Sequence, residues 1–388
     1  MKRFIPLCAL LYLFMADYLK AADAAGSDRF IADSTNFWAI DMTLLEVEGK
    51  HYAVWSGWDK FYENSEAPAQ NLYIAPIFFS DVKPYVRLGQ RSLLSKPELP
   101  WELKHEEHIS LLEGPSALYH DGDIFIIYST RGSWTENYKM GQLRLKKGGN
   151  PLLSEDWEKY PEPVFSGVYK SDNLGYEILG TGHASYVVSP DGKEYWVNYH
   201  AKTSDGTGWG DRMVYLQKFT FGHDGNPEFG IPADPRIPMK RPSGEVRIEK
   251  KNGVSKPSKT FVNPLFKGAD PWITEHDGKY YTCRSGAGGI WITESSFISC
   301  FDEGKTLNQA KKKVWSLPKD DSCWNTVSLW APELHYVDGK WYIFYAAGKN
   351  PSGPFWTQRT GVLVSRTGPF GPYEESDDKP LFTGDAAR

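Results

Sequence analysis

The amino-acid sequence predicts an all-β protein, a closed five-bladed β-propeller, and two observations carry that expectation. One phrase recurs five times, coupling an apolar-rich strand to an aromatic-rich strand through a glycine turn. It reads LLEVEGKHYAVWSG around Gly49, ALYHDGDIFIIYST around Gly122 and YVVSPDGKEYWVNYH around Gly192, then WITEHDGKYYTCRSG around Gly278 and LHYVDGKWYIFYAAG around Gly339. Asp-Gly or Glu-Gly supplies a tight hairpin turn, and β-branched and aromatic residues alternate on either side. The five glycines cut the chain into units of comparable length, each long enough for four strands, and such units close radially into a propeller. The second observation is the lack of any segment with a long 3.6-residue apolar period, so helices are expected to be few.

Composition fits that core and excludes several classes. Of 388 residues 40% are hydrophobic, 24% charged and 15% aromatic, with 15 Trp, 22 Tyr and 20 Phe. This excludes wholesale disorder and coiled coil. Formal charge is −5 with no long basic run, which leaves nucleic acid no electrostatic footprint. Abundant Trp and Tyr suit stacking on sugar rings and equally suit a large all-β core.

The chain opens with Lys2 and Arg3, an apolar stretch from Ile5 to Met15, and Ala22-Asp23-Ala24. These read as a signal peptide over residues 1–24, because a bilayer span needs about 20 apolar residues. The expected product is a secreted (extracellular or periplasmic) protein with no membrane segment, its propeller filling residues 25–388. Cys283, Cys300 and Cys323 would remain, an odd set that allows at most one internal disulfide and matches no zinc spacing. Residues 231–262 are rich in Pro, Lys and Arg with little apolar periodicity. They read as a surface connector rather than a strand pair.

Three carboxylates stand out by register. Asp41 lies eight residues before Gly49, Glu113 nine before Gly122 and Asp270 eight before Gly278. In a propeller that register brings the three to one end of one axial pocket, where unpaired acids are costly unless they are functional. His183, nine before Gly192, shares the register, and Glu333, six before Gly339, lies near the same level. One histidine with no second ligand nearby cannot make a catalytic zinc centre; a hydrated Ca²⁺ on the axis, held mostly through waters, is compatible and no cofactor is required.

With these motifs in place the sequence resembles glycoside hydrolase family 43. The similarity rests on A-D-P-W-I at 269–273, W-A-P-E-L-H-Y at 330–336, W-A-I-D at 38–41, E-G-P at 113–115 and G-H-A-S at 182–185. QNLYIAP at 70–76 and the stretch from Tyr199-His200 to QKFTFGHDGNPEFG resemble its arabinofuranosidase branch. The resemblance implies Asp270 as general base, Glu113 as general acid and Asp41 as the carboxylate that tunes it. It further implies His183 at an axial metal or water site and Arg212 reaching the sugar. Met42 and Leu112 stand where the family usually has Gly and often has Asn, which bears on pocket shape. The motif order also departs, since the base comes first in the family and fourth here. A circular permutation with 231–262 joining the usual ends accounts for that order, as does a gene that joins pieces of two tandem copies.

The expected activity is that of a secreted inverting α-L-arabinofuranosidase acting on arabinan or arabinoxylan. A β-xylosidase or endo-arabinanase would use the same carboxylates, and a non-catalytic sugar-binding propeller is the reading from another class. Glu113 would protonate the leaving oxygen while Asp270 activates a water on the opposite face. Like-charge repulsion from Asp41 would keep Glu113 protonated. Trp38, Trp272 and Trp330, with Glu333 and Arg212, would contact the sugar.

Overall fold

The computed structural model describes residues 34–385 apart from 63–66, 106, 203–207, 246, 252–253, 302–309 and 350–354. The expected leader over 1–24 lies outside the described residues. Each recurring phrase forms the innermost hairpin of one four-stranded antiparallel blade. The first blade runs Ala39–Val47, Lys50–Gly57 and Ala69–Phe79, with its outer edge split between Val86–Leu88 and Ser92–Ser95. The second runs Ser110–His120, Asp123–Thr130, Lys139–Leu145 and Trp157–Lys159. The third holds Leu179–Val188, Tyr195–Lys202, Arg212–Phe221 and Pro227–Glu228, with Phe266–Lys267 added beside Arg212–Phe221. The fourth holds Trp272–His276, Lys279–Gly286, Gly289–Ser295 and Lys311–Ser316, and the fifth Val327–Val337, Lys340–Gly348, Arg359–Ser365 and Glu374–Glu375. The helical residues among those described are three short 3₁₀ turns.

Turn chemistry explains why these hairpins close so tightly. Glu48-Gly49, Asp121-Gly122, Asp277-Gly278 and Asp338-Gly339 all place both residues at positive φ, which is the two-residue turn whose twist matches antiparallel strands. Only Gly192 of its pair does so, in the longer third turn.

Aromatic and β-branched residues fill each gap between blades. Phe125, Phe165, Tyr199 and Tyr215 cluster between the second and third, and Leu334, Ile343 and Tyr345 meet Cys283 and Ile292 between the fourth and fifth. Trp55, Tyr73, Tyr342 and Phe344 close the ring between the fifth and first. Each such side chain contributes about 1.5–3 kcal/mol on burial, so much of the aromatic content is spent on wedging blades apart at the right angle.

The first and last described segments meet at that last junction. Asn36 Nδ2 donates to Leu381 O at 3.1 Å, Thr383 N donates to Asn36 Oδ1 at 2.9 Å, and Thr360 Oγ1 donates to Ala39 O at 3.2 Å. No disulfide forms among Cys283, Cys300 and Cys323; the first two are buried.

The 231–262 segment is more structured than its composition suggests. Met239–Lys240 pairs with Thr260–Phe261, and Arg247–Lys251 pairs with Val254–Ser258, where the sequence predicts no strand pair. Anchors outside the segment supply the missing order. Ser243 N donates to Glu194 Oε2 at 2.9 Å in the third blade, Glu245 Oε1 accepts Ile298 N at 2.6 Å in the fourth, and Phe261 is buried between those blades.

Candidate active site

Four of the five innermost strands break their ladder at one level, and in the fourth blade the kink falls just ahead of the strand. Pairing register shifts between Ile40 and Thr43, Glu113 and Ser116, Gly182 and Ser185, and Trp330 and Glu333. At the break one residue per blade has positive φ: Asp41 (54°), Gly114 (54°), His183 (49°), Ala331 (40°), and Asp270 (48°) just ahead of the fourth strand. Such bulges re-aim side chains, and the left-handed conformation costs a non-glycine residue about 1–3 kcal/mol. Asp41, His183 and Asp270 therefore occupy equivalent strained positions. Glu113 stands one residue before its blade's kink, outside the register the sequence suggests, and Glu333 two residues after its own, near the same level.

Side chains opposite these kinks tie the first four blades in sequence, each to the next. Ser56 Oγ donates to Leu112 O at 2.8 Å, Ser129 Oγ accepts His183 N at 2.8 Å, and His200 Nδ1 accepts Asp270 N at 3.2 Å. His200 was given no role by the sequence. Its signal lies in pairing, since it faces Gly182, the residue before the kink, as Ser129 faces Glu113.

The kinks converge on one mouth. Gly114 N donates to Asp41 Oδ2 at 3.0 Å, and His183 Nδ1 lies 4.0 Å from that oxygen and 3.3 Å from Asp270 Oδ1. Arg212 Nη1 donates to Asp270 Oδ1 at 3.0 Å, and His200 Nδ1 is 3.4 Å from it. Trp330, half-buried against Phe355, precedes the kink of the fifth blade as Glu113 precedes that of the second.

The remaining predicted residues lie elsewhere. Trp38 is 1% exposed, stacked on Trp58 at 4.9 Å with its indole N–H on Phe355 O, which leaves it no free face for a sugar. Trp272 and Glu333 sit one layer below the kinks. Trp272 donates to Leu334 O and packs on His335, lining a cavity of about 700 Å³ that opens toward the hairpin turns, away from the carboxylates. Glu333 is buried with Oε2 3.0 Å from His335 Nε2. Burial pushes this carboxyl well above its ordinary value and brings His335 down to about 3.

Proton affinities split across the mouth. Burial raises Asp270, but Arg212 foremost, then His183 and His200, outweigh it and hold the carboxyl below the usual carboxylate range. Of these three Arg212 alone keeps its charge near neutrality, because burial lowers His183 and brings His200 down to about 4. Burial, then the Asp270 charge, lifts Glu113 to about 7 against the hydroxyls of Tyr138 and Ser133. Burial, then Glu113 and Asp270, lifts Asp41 well above its ordinary value. Like-charge repulsion, the cause expected from the sequence, thus ranks behind desolvation.

Among the described residues no group of three His, Cys, Asp or Glu is placed to hold a metal directly; a Ca²⁺ on the axis, which takes six to eight oxygens, would be held mostly through waters beside His183.

The sequence profile of glycosyl hydrolases family 43 matches residues 19–227 and 261–385. The chain belongs to that family. Among curated family relatives it is 30% identical over 216 residues to an extracellular exo-α-(1→5)-L-arabinofuranosidase of Streptomyces avermitilis, covering 54% of this chain and 41% of that protein. It is 28% identical over 209 residues to α-L-arabinofuranosidase B of Pyricularia oryzae, covering 52% and 40%. The chain therefore spans about two fifths of the length of these relatives. In fold it is similar to the exo-1,5-α-L-arabinanase from a bovine ruminal metagenomic library (TM-score 0.52, 14% identity, 89% and 99% covered). It is similar also to the Cellvibrio cellulosa α-L-arabinanase complexed with arabinohexaose (TM-score 0.51, 15% identity, 88% and 96% covered). Among the described residues no helix is long and apolar enough to cross a membrane.

Proposed function

We propose that this family 43 protein is a secreted, inverting α-L-arabinofuranosidase that releases arabinose from arabinan or arabinoxylan. The observation that carries the reading is the split at the mouth, one carboxyl held ionised by Arg212 and another held near neutrality in its proton affinity. That is the state required of a base and an acid in single-displacement glycoside hydrolysis. In the proposed step Glu113 gives its proton to the glycosidic oxygen as the bond from the anomeric carbon to that oxygen breaks. A water on the opposite face forms the new bond to that carbon, and Asp270 takes the water's proton. Glu113 ends ionised and Asp270 protonated, and solvent restores both. Asp41 orients the second blade by accepting the Gly114 N–H.

Arabinoside over xyloside specificity is supported by the arabinofuranosidase names of the relatives, and secretion by the leader-like start together with the relative named extracellular. Residues 25–388 would form one propeller domain in circularly permuted order. The meeting of Asn36 with Leu381 and Thr383, and a family match that omits 228–260, support that order. Proton NMR of the first-formed anomer from an arabinoside tests activity and stereochemistry together. Inversion gives the β-anomer of arabinose first; the α-anomer first, or no release from either arabinosides or xylosides, sinks the proposal.

A further inference from the structure

Two loops on the mouth side are laced into one unit that the reaction described above does not use. Gly208 N donates to Trp134 O at 2.8 Å, and Lys202, its side chain fully buried, donates through Nζ to Trp134 O at 3.1 Å and to Gly208 O. Asp211 lies 3.6 Å from the same ammonium. Trp209 Nε1 donates to Ser133 Oγ at 3.2 Å, and its ring meets Trp134 edge-on at 5.7 Å. His108 stacks on Trp134 at 5.3 Å and extends the surface outward. Gly132 makes room for this, since a Cβ there would lie 2.8 Å from the Trp134 ring.

The unit touches both catalytic partners. Ser133 faces Glu113, and Trp209 O accepts Arg212 Nε at 3.3 Å while Arg212 holds Asp270. An apolar ring is costly to leave in water, and Trp209 is 58% exposed although its indole N–H is held by Ser133 Oγ. A rigid indole beside an acid fits a sugar ring, whose C–H faces stack on aromatic surfaces while its hydroxyls stay hydrated. Glu113 protonates the leaving oxygen, and Ser133, which faces Glu113, also accepts the Trp209 indole N–H, so Trp209 flanks the acid on the leaving-group side.

We propose that Trp209, backed by Trp134 and His108, is the stacking platform for the neutral sugar unit on the leaving-group side of the scissile bond. This rests on the roles proposed for Glu113 and Asp270. The platform gives the enzyme a preference for oligosaccharides over glycosides with a small alcohol as leaving group.

The test is the ratio of kcat/KM on a 1,5-linked arabinotriose to that on methyl α-L-arabinofuranoside, with xylotriose and methyl β-D-xyloside as a parallel pair. Trp209→Ala is expected to lower that ratio roughly ten- to a hundredfold, while Trp209→Phe keeps most of it. A ratio unchanged in Trp209→Ala overturns the platform. If the wild-type protein turns over neither pair, the proposed activity fails and tryptophan fluorescence reads the platform directly. A trisaccharide-induced change that vanishes in Trp209→Ala supports it, and no change in the wild type overturns it.

Discussion

On the fourth-blade side of the mouth, Asp270 is 21% exposed and lies within 3.4 Å of Arg212, His183 and His200. On the first- and second-blade side, Asp41 and Glu113 are 5% and 7% exposed and face hydroxyls, a backbone N–H and each other. Burial alone raises all three carboxyls. Asp270 alone of the three has an arginine at hydrogen-bond distance, and that cation lowers it most, ahead of His183 and His200. The opposite directions therefore come chiefly from one arginine at the start of the third blade's third strand.

The largest expected effect comes from removing the ionised side. Asp270→Asn keeps the shape, removes the proton acceptor, and should cost roughly 10²–10⁴-fold in kcat with the cooperative melt intact. Glu113→Gln breaks the other side and should separate substrates. On an unactivated arabino-oligosaccharide the loss matches that of Asp270→Asn, and on an aryl arabinofuranoside with a good leaving group it is smaller by about 10-fold or more. Equal losses on both would remove Glu113 from the acid role.

Arg212→Met sharpens the comparison by making the two sides alike. Without the guanidinium, burial governs Asp270 as it governs Glu113, and its pKa rises. Activity in wild type holds through mildly acidic pH, because Asp270 titrates below the ordinary carboxylate range, and falls as pH rises through about 7 with Glu113. In the variant an acidic limb should enter the measurable range and narrow the profile from below, with about a tenfold loss at pH 5 relative to pH 6.5. A pH–kcat/KM profile that falls uniformly instead would show that Arg212 binds sugar without tuning Asp270.

The same contrast explains what the sequence made legible. The hairpins, the propeller and the family motifs are written in local patterns, a turn pair and a two-residue alternation repeated five times. The register count reached Asp41, His183 and Asp270 because their kinks lie eight or nine residues before each glycine. It put Glu113 in the kink register although the kink falls one residue later at Gly114, because a bulge leaves no mark in composition. Glu333 lies two residues past its kink, as its six-residue spacing gives. His200 and Tyr138 were not singled out because their partners lie in the neighbouring strand or blade. The three predicted tryptophans divided by neighbour: Trp38 is sealed by Trp58, Trp272 faces the lower cavity, and Trp330 packs on Phe355 one residue before the fifth blade's kink.

The smallest expected effect is on stability, and there the two sides should differ in sign. Asp41 and Glu113 bind protons more tightly folded than unfolded, so the stability they allow is complete below the unfolded carboxylate value. For Glu113 it drains away as pH rises from about 4.5 toward about 7. Asp270 is the reverse, contributing stability above the ordinary carboxylate value that is lost as pH falls through its lowered folded value. Asp41→Asn should therefore raise Tm at pH 8 by a few degrees, for a gain on the order of 1–3 kcal/mol, and by less at pH 5. Asp270→Asn should lower Tm at pH 8, by a smaller amount because its carboxylate is partly solvated. Melting curves of both variants at the two pH values measure this directly. A shift of the same sign for both at pH 8 would mean that the strained kink at each residue, rather than the charge it carries, sets what these carboxylates cost the fold.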